Sequence, residues 1–106
     1  MDNYIFCIII YNNIIMSILI NGKEYDINKK KIDLTDDELS SLPSEIGNLI
    51  NLQELDLRDN HLSSLPIEIG NLINLQTLKL SYNKLRSLPS EIGNLINLLK
   101  HYIYQK

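Results

Sequence analysis

Few residues in this chain are suited to chemistry, and their spacing argues against catalysis. Cys7 is the one cysteine, and a thiol nucleophile needs a nearby base to take its proton. The two candidates, His61 and His101, fall in a turn and in a terminal strand, where neither is expected to serve it. Two histidines without repeated Cys or carboxylate spacing do not make a zinc site. Asp56 and Asp59 can both face outward, but paired acids on an open surface lack the enclosed pocket that raises a carboxyl pKa for acid–base work. Gly47-Asn48 is not a phosphate loop, because the glycine spacing and the lysine of such loops are missing. The chain is therefore expected to be no enzyme and to need no cofactor and no metal.

Composition narrows the remaining classes. The 106 residues fit one domain, with 44% apolar and 22% charged residues, a balance that opposes disorder. A formal net charge of −3 supplies no basic footprint for nucleic acid. The lone Cys7 excludes an intrachain disulfide, which suits a reducing, intracellular and cytoplasmic setting. With no Trp and 7% aromatic residues, the core must be built from Leu and Ile.

What must position any functional surface is a repeat. Leu39–Asn60 reads LSSLPSEIGNLINLQELDLRDN, Leu62–Asn83 reads LSSLPIEIGNLINLQTLKLSYN, and a third unit starts at Leu85. Pro43, Pro66 and Pro89 correspond, as do Gly47, Gly70 and Gly93, each 23 residues apart. One period earlier, Ile32-Asp33-Leu34 matches Leu55-Asp56-Leu57 in a diverged unit. Four strand positions follow, at 32–34, 55–57, 78–80 and 101–103, with the terminal two degenerate as the ends of stacked arrays generally are.

Each position has a physical reason. Leu55 and Leu57 alternate with Glu54, Asp56 and Arg58, the period-two pattern of a strand with one wet face. One such strand cannot bury its apolar side, but parallel stacking about 4.8 Å apart turns the leucine rows into a continuous core. Asn60 and Asn83 stand where the chain leaves the strand, placed to satisfy backbone groups of the turn. The prolines preset φ for a short helical turn over SEIGNLI, where Gly47, Gly70 and Gly93 permit close approach or a positive φ.

The run Leu52-x-x-Leu55-x-Leu57-x-x-Asn60-x-Leu62-x-x-Leu65-Pro66 resembles the leucine-rich-repeat consensus. Its 23-residue period resembles the class found in intracellular Ras-interacting and Scribble-type proteins, over roughly residues 29–103. The resemblance implies an α/β leucine-rich-repeat solenoid with a short parallel sheet on the concave face and short helical turns on the convex face. It also implies an asparagine ladder through the stack and a concave face that binds a protein partner.

Three regions are expected: an apolar segment at 1–16, a β-hairpin cap at 17–31 and the repeats at 32–106. Asn21-Gly22 between pairable runs is a strong signal for a type I′ turn, and the hairpin would cover the open end of the stack. Residues 3–22 carry no charge, so residues 1–20 could anchor the chain in a membrane. Asn12-Asn13 and acidic Asp2 oppose that. Alternatives are an upstream extension of the gene with Met16 as the true start, in an AT-rich coding context, and an extra capping strand. At the other end, Lys106 stands where Asn is expected, and self-association through residues 95–106 would cover an open sheet edge.

If the leucines face in, the residues between them face out, and they vary while the scaffold repeats. The candidate partner-binding residues are Asp33, Glu54, Asp56, Arg58 and Asp59 in an acidic half, and Lys79, Tyr82, Lys100, Tyr102 and Tyr104 in a basic-aromatic half. Tyrosines on a rigid sheet are suited to binding hot spots. The leading expectation is a non-catalytic scaffold binding a protein on this face. A membrane-tethered adaptor and a truncated repeat product without a selected role are the alternatives.

Overall fold

The structure, a computed structural model, describes residues 8–11, 14–98 and 100–102. Cys7, Asn12-Asn13 and the segment 103–106, including Tyr104 and the strand position at 103, lie outside the described residues.

The chain opens with an antiparallel sheet, β1 (Ile8–Tyr11), β2 (Ile14–Ile20) and β3 (Lys23–Asp26), in that order. Asn21 at φ 52° and Gly22 at φ 81° turn β2 into β3, both in the left-handed region that a type I′ turn requires. Hairpin pairing runs from Ile20–Lys23 to Ser17–Asp26. β2 starts at Ile14 and also pairs with β1, so a boundary drawn between residues 16 and 17 falls inside a strand. Ile18 and Ile20 are fully buried and join Tyr25 in the same core as the repeats.

The repeats contribute a second, parallel sheet, β4 (Lys31–Asp33), β5 (Glu54–Asp56), β6 (Thr77–Lys79) and β7 (Lys100–Tyr102). Its register follows the period residue for residue: Ile32 pairs with Leu55, Leu55 with Leu78, and Leu78 with His101. Between strands the chain returns through turns at Ser44–Asn48, Ile67–Asn71 and Ser90–Asn94. The apolar rows close on each other as the alternation demands: Leu55, Leu57, Leu78 and Leu80 are at most 1% exposed.

The helical turns are 3-10, and no α-helix occurs among the described residues, which corrects the α/β expectation. Five residues are too few to recover the cost of nucleating an α-helix, whereas i→i+3 bonds serve short pieces. The Ile46 N–H donates to the Pro43 carbonyl and the Leu49 N–H to the Ile46 carbonyl, both at 3.1 Å. Pro43, Pro66 and Pro89 cap the three turns in extended geometry with φ between −69° and −64°. Of the two roles considered for the repeat glycines, close approach applies. A Cβ on Gly47 would lie 2.9 Å from Glu68 Cβ, and one on Gly70 2.7 Å from Glu91 Cβ, so each glycine lets the next turn pack against it.

Candidate functional site

The face between the leucine rows is built strand by strand. Parallel register places Lys31, Glu54, Thr77 and Lys100 in one row and Asp33, Asp56, Lys79 and Tyr102 in the next. Lys100 and Tyr102 are placed here by the backbone of β7. Asp33 and Asp59 are exposed, while Glu54, Arg58 and Lys79 are half-buried. A loose ion pair of 4.0 Å joins Lys79 Nζ to Glu54 Oε2 between neighbouring strands.

Asp56 departs from the expected outward pose: it is 5% exposed. Arg58, two residues on and so on the same face, folds over it. Its Nε donates to Asp56 Oδ1 at 2.9 Å and its Nη2 to Oδ2 at 2.7 Å, and the Arg58 N–H adds a third bond to Oδ1 at 3.2 Å. Burial alone would raise the Asp56 pKa, but the hydrogen bonds and charge of Arg58 outweigh it and hold the carboxyl below its ordinary value. The surface therefore presents Arg58, with Asp56 beneath as its support.

Beside these rows runs a feature that alternation does not reveal. Asp36, Asp59 and Tyr82 occupy the same repeat position with φ of 57°, 58° and 61°. A left-handed residue at each strand exit tips its side chain out, and all three are exposed. Tyr82 is thereby held half-exposed next to the sheet.

The exits are fixed from beneath by Asn60 and Asn83. Asn60 Nδ2 donates to the carbonyls of Leu34, Leu57 and Arg58 at 2.9–3.1 Å, and its Oδ1 accepts the N–H groups of Asp37 and Leu39. Asn83 Nδ2 reaches the Leu57 carbonyl at 2.8 Å and the Leu80 carbonyl at 3.1 Å, while its Oδ1 accepts the Leu62 N–H. Each side chain thus spans two units, and the face above rests on a fully bonded ladder. A second asparagine row escaped the sequence reading. Asn74 Nδ2 donates to the Ile50 carbonyl at 2.8 Å and Asn97 Nδ2 to the Ile73 carbonyl at 2.9 Å. The recurring Asn-Leu-Ile-Asn-Leu was the available signal.

Among the described residues, no cluster of three or more His, Cys, Asp or Glu side chains could hold a metal ion. Nor is any helix among them long and apolar enough to cross a membrane.

Comparison with known proteins agrees with this geometry. The family described as a leucine-rich repeat region matches residues 33–106. A solved leucine-rich-repeat protein of Leptospira interrogans is similar at 54% identity and a TM-score of 0.66, over 67% of this chain. The match spans only 18% of that longer chain. No curated protein matches significantly. With the repeat period, the parallel register and the asparagine ladder in agreement with the family match, the chain belongs to the leucine-rich-repeat family.

Proposed function

We propose that the chain is a short repeat solenoid whose concave sheet face captures a protein partner, without catalysis. The observation that carries this is the contrast between a constant scaffold and a varied face. The turns and leucine rows of the units are near-identical, yet the outward positions change from Lys31 through Glu54 to Thr77 along one row and from Asp59 to Tyr82 along another. Selection for stacking alone does not require that change, because these side chains leave the core unaltered.

Two kinds of surface lie side by side. The β4–β5 end offers Asp33, Asp36 and Asp59 as exposed acids, with Arg58 locked over Asp56 as a fixed cation. The β6 end offers Lys79 and the half-exposed Tyr82, and by register Lys100 and Tyr102 continue it. Such a face suits a partner of reversed polarity, basic toward β4 and acidic or aromatic toward β7. Rigid backbone lowers the entropy lost on binding, and a tyrosine at the edge of a fixed sheet supplies contact area at low rotamer cost.

The experiment compares proximity labelling by the wild type with two variants. Lys79→Glu combined with Tyr82→Ala alters the sheet face; Ile73→Asp alters the opposite, turn side. Partners lost from the face variant and retained by the turn-side variant support the assignment. Partners retained by the face variant and lost from Ile73→Asp would move recognition to the convex side. Asp56 is left untouched in this design, because its substitution would disturb the scaffold.

A further inference from the structure

The hairpin tip and the first unit are joined by a contact that the later units do not repeat. Asn21 Nδ2 donates to the Asp37 carbonyl at 3.1 Å. No other side-chain hydrogen bond among the described residues ties β2, β3 or their turn to the repeats. The backbone of the first unit is rearranged to meet it. Glu38 has φ 57°, whereas its equivalents His61 and Lys84 are not in the left-handed region. Those two donate their N–H groups to the Leu39 and Leu62 carbonyls of the unit before. For Glu38 the hairpin stands where an earlier unit would be, and the Asp37 carbonyl is turned toward it. A residue with a side chain holds a left-handed φ only where its surroundings fix it. Here the Asn21 amide takes the carbonyl that this conformation presents.

Asn21 is also the one asparagine of the chain that is followed by glycine; every other precedes a residue with a side chain. Asn21 and Gly22 are both exposed, and a Cβ on Gly22 would meet nothing within 4 Å. The strand ladder ends at Ile20–Lys23, so it leaves the Gly22 N–H unused. An unshielded amide nitrogen therefore follows Asn21 directly, the right separation for a five-membered ring with Asn21 Cγ. Glycine also gives the backbone the freedom to bring the two atoms together.

We propose that Asn21 is a site of spontaneous deamidation that unlatches the hairpin cap from the repeats. The Gly22 nitrogen loses its proton to water and bonds to Asn21 Cγ, and the Cγ–Nδ2 bond breaks as ammonia leaves. Water then opens the succinimide at either carbonyl, leaving an aspartate or an isoaspartate at position 21. Both products carry a carboxylate, which accepts hydrogen bonds and cannot donate one. It would face the Asp37 carbonyl oxygen, beside the acidic run Asp36-Asp37-Glu38, a setting of like charge. The isoaspartate also lengthens the main chain of a turn whose length fixes the strand register. What loosens is the cover over one end of the core, because Ile18, Ile20 and Tyr25 share a buried cluster with Ile32 and Leu34. The sheet face takes no part, so this site stands or falls apart from partner capture there.

Peptide mapping of the full chain, aged in mildly alkaline buffer with and without urea, tests the site. In the folded chain Asn21 should convert within ~10-fold of its rate in urea, because an exposed turn opens without global unfolding. Asn60 and Asn83, which are buried, should stay intact. A folded-state rate at Asn21 more than ~10-fold below the rate in urea would overturn the assignment. Urea melts test the latch. The aged wild type should have a lower midpoint than the fresh chain, and freshly prepared Asn21→Asp should reproduce the drop. Asn21→Gly cannot deamidate and suits the turn, so its midpoint should not change with age. An Asn21→Asp midpoint equal to that of fresh wild type would overturn the latch, as would an equal fall with age in Asn21→Gly.

Discussion

At the scale of single residues, two side chains carry more than their position in an alternating strand suggests. Asn83 satisfies backbone groups of two units at once and is 2% exposed. Asn83→Ala would leave several buried donors and acceptors without partners, each costing about 1–3 kcal/mol before relaxation. A loss of about 2–4 kcal/mol is expected, read as a lower urea midpoint at unchanged slope. Asp56 adds a pH dependence. Its folded pKa is depressed, so its contribution is fully present above the unfolded value of about 3.9 and is lost as the pH falls through the lower folded value. Asp56→Asn should therefore be less stable than wild type at neutral pH, with the gap closing as the pH is taken down from about 4. Urea melts at a series of pH values check this; a gap that widens in acid would contradict the assignment.

At the scale of elements, the glycine in each 3-10 turn sets how closely the units stack. Gly70→Ala would push its Cβ against Glu91 backbone as well as side chain, at 2.7 Å from both Cβ and carbonyl oxygen. Overpacking against backbone costs about 1–3 kcal/mol. Gly93→Ala meets open space and should be neutral or stabilise by up to about 1 kcal/mol. Thermal melts of the two variants give the comparison directly, and equal losses would show that stacking does not depend on this approach. The elements themselves were legible because a 23-residue period in Leu, Pro, Gly and Asn leaves one register free of conflict: Ile32, Leu55 and Leu78 must align. Less was legible where the period was silent. Alternation tells which face Asp56 occupies but not how deep it lies, and its depth comes from Arg58 folding back over it. The Ser44–Asn48 segment is too short for helix periodicity to separate 3-10 from α. β2 runs back to Ile14 through uniformly apolar residues that carry no alternation to mark a strand start. The left-handed exits at Asp36, Asp59 and Tyr82 were hidden for another reason, since Tyr is not a residue expected at positive φ.

At the scale of the whole molecule, stability is a sum of units and the interfaces between them. The Ile69 N–H donates to the Pro66 carbonyl at 3.1 Å and the Ile92 N–H to the Pro89 carbonyl at 3.0 Å, the same bond in successive units. They differ in cover: Ile69 is fully buried, and the Ser90–Asn94 turn has no buried residue. In dilute solution the Ile92 amide should exchange at least ~10-fold faster than the Ile69 amide, as end units open before the centre. Hydrogen exchange resolved by residue checks this, and equal protection would show that the last unit is as well supported as the middle one.

All of these expectations rest on one arrangement, with leucine rows enclosed between units and the intervening side chains on an open sheet face. Thiol accessibility in the central strand measures it most directly, using Glu54→Cys and Leu55→Cys in a Cys7→Ser background. Glu54 is partly open and Leu55 is 0% exposed. A maleimide should modify the thiol at 54 in the folded protein at least ~10-fold faster than the thiol at 55, which should react only as fast as the protein opens. Equal rates for the two folded variants, or faster modification at 55, would contradict the account.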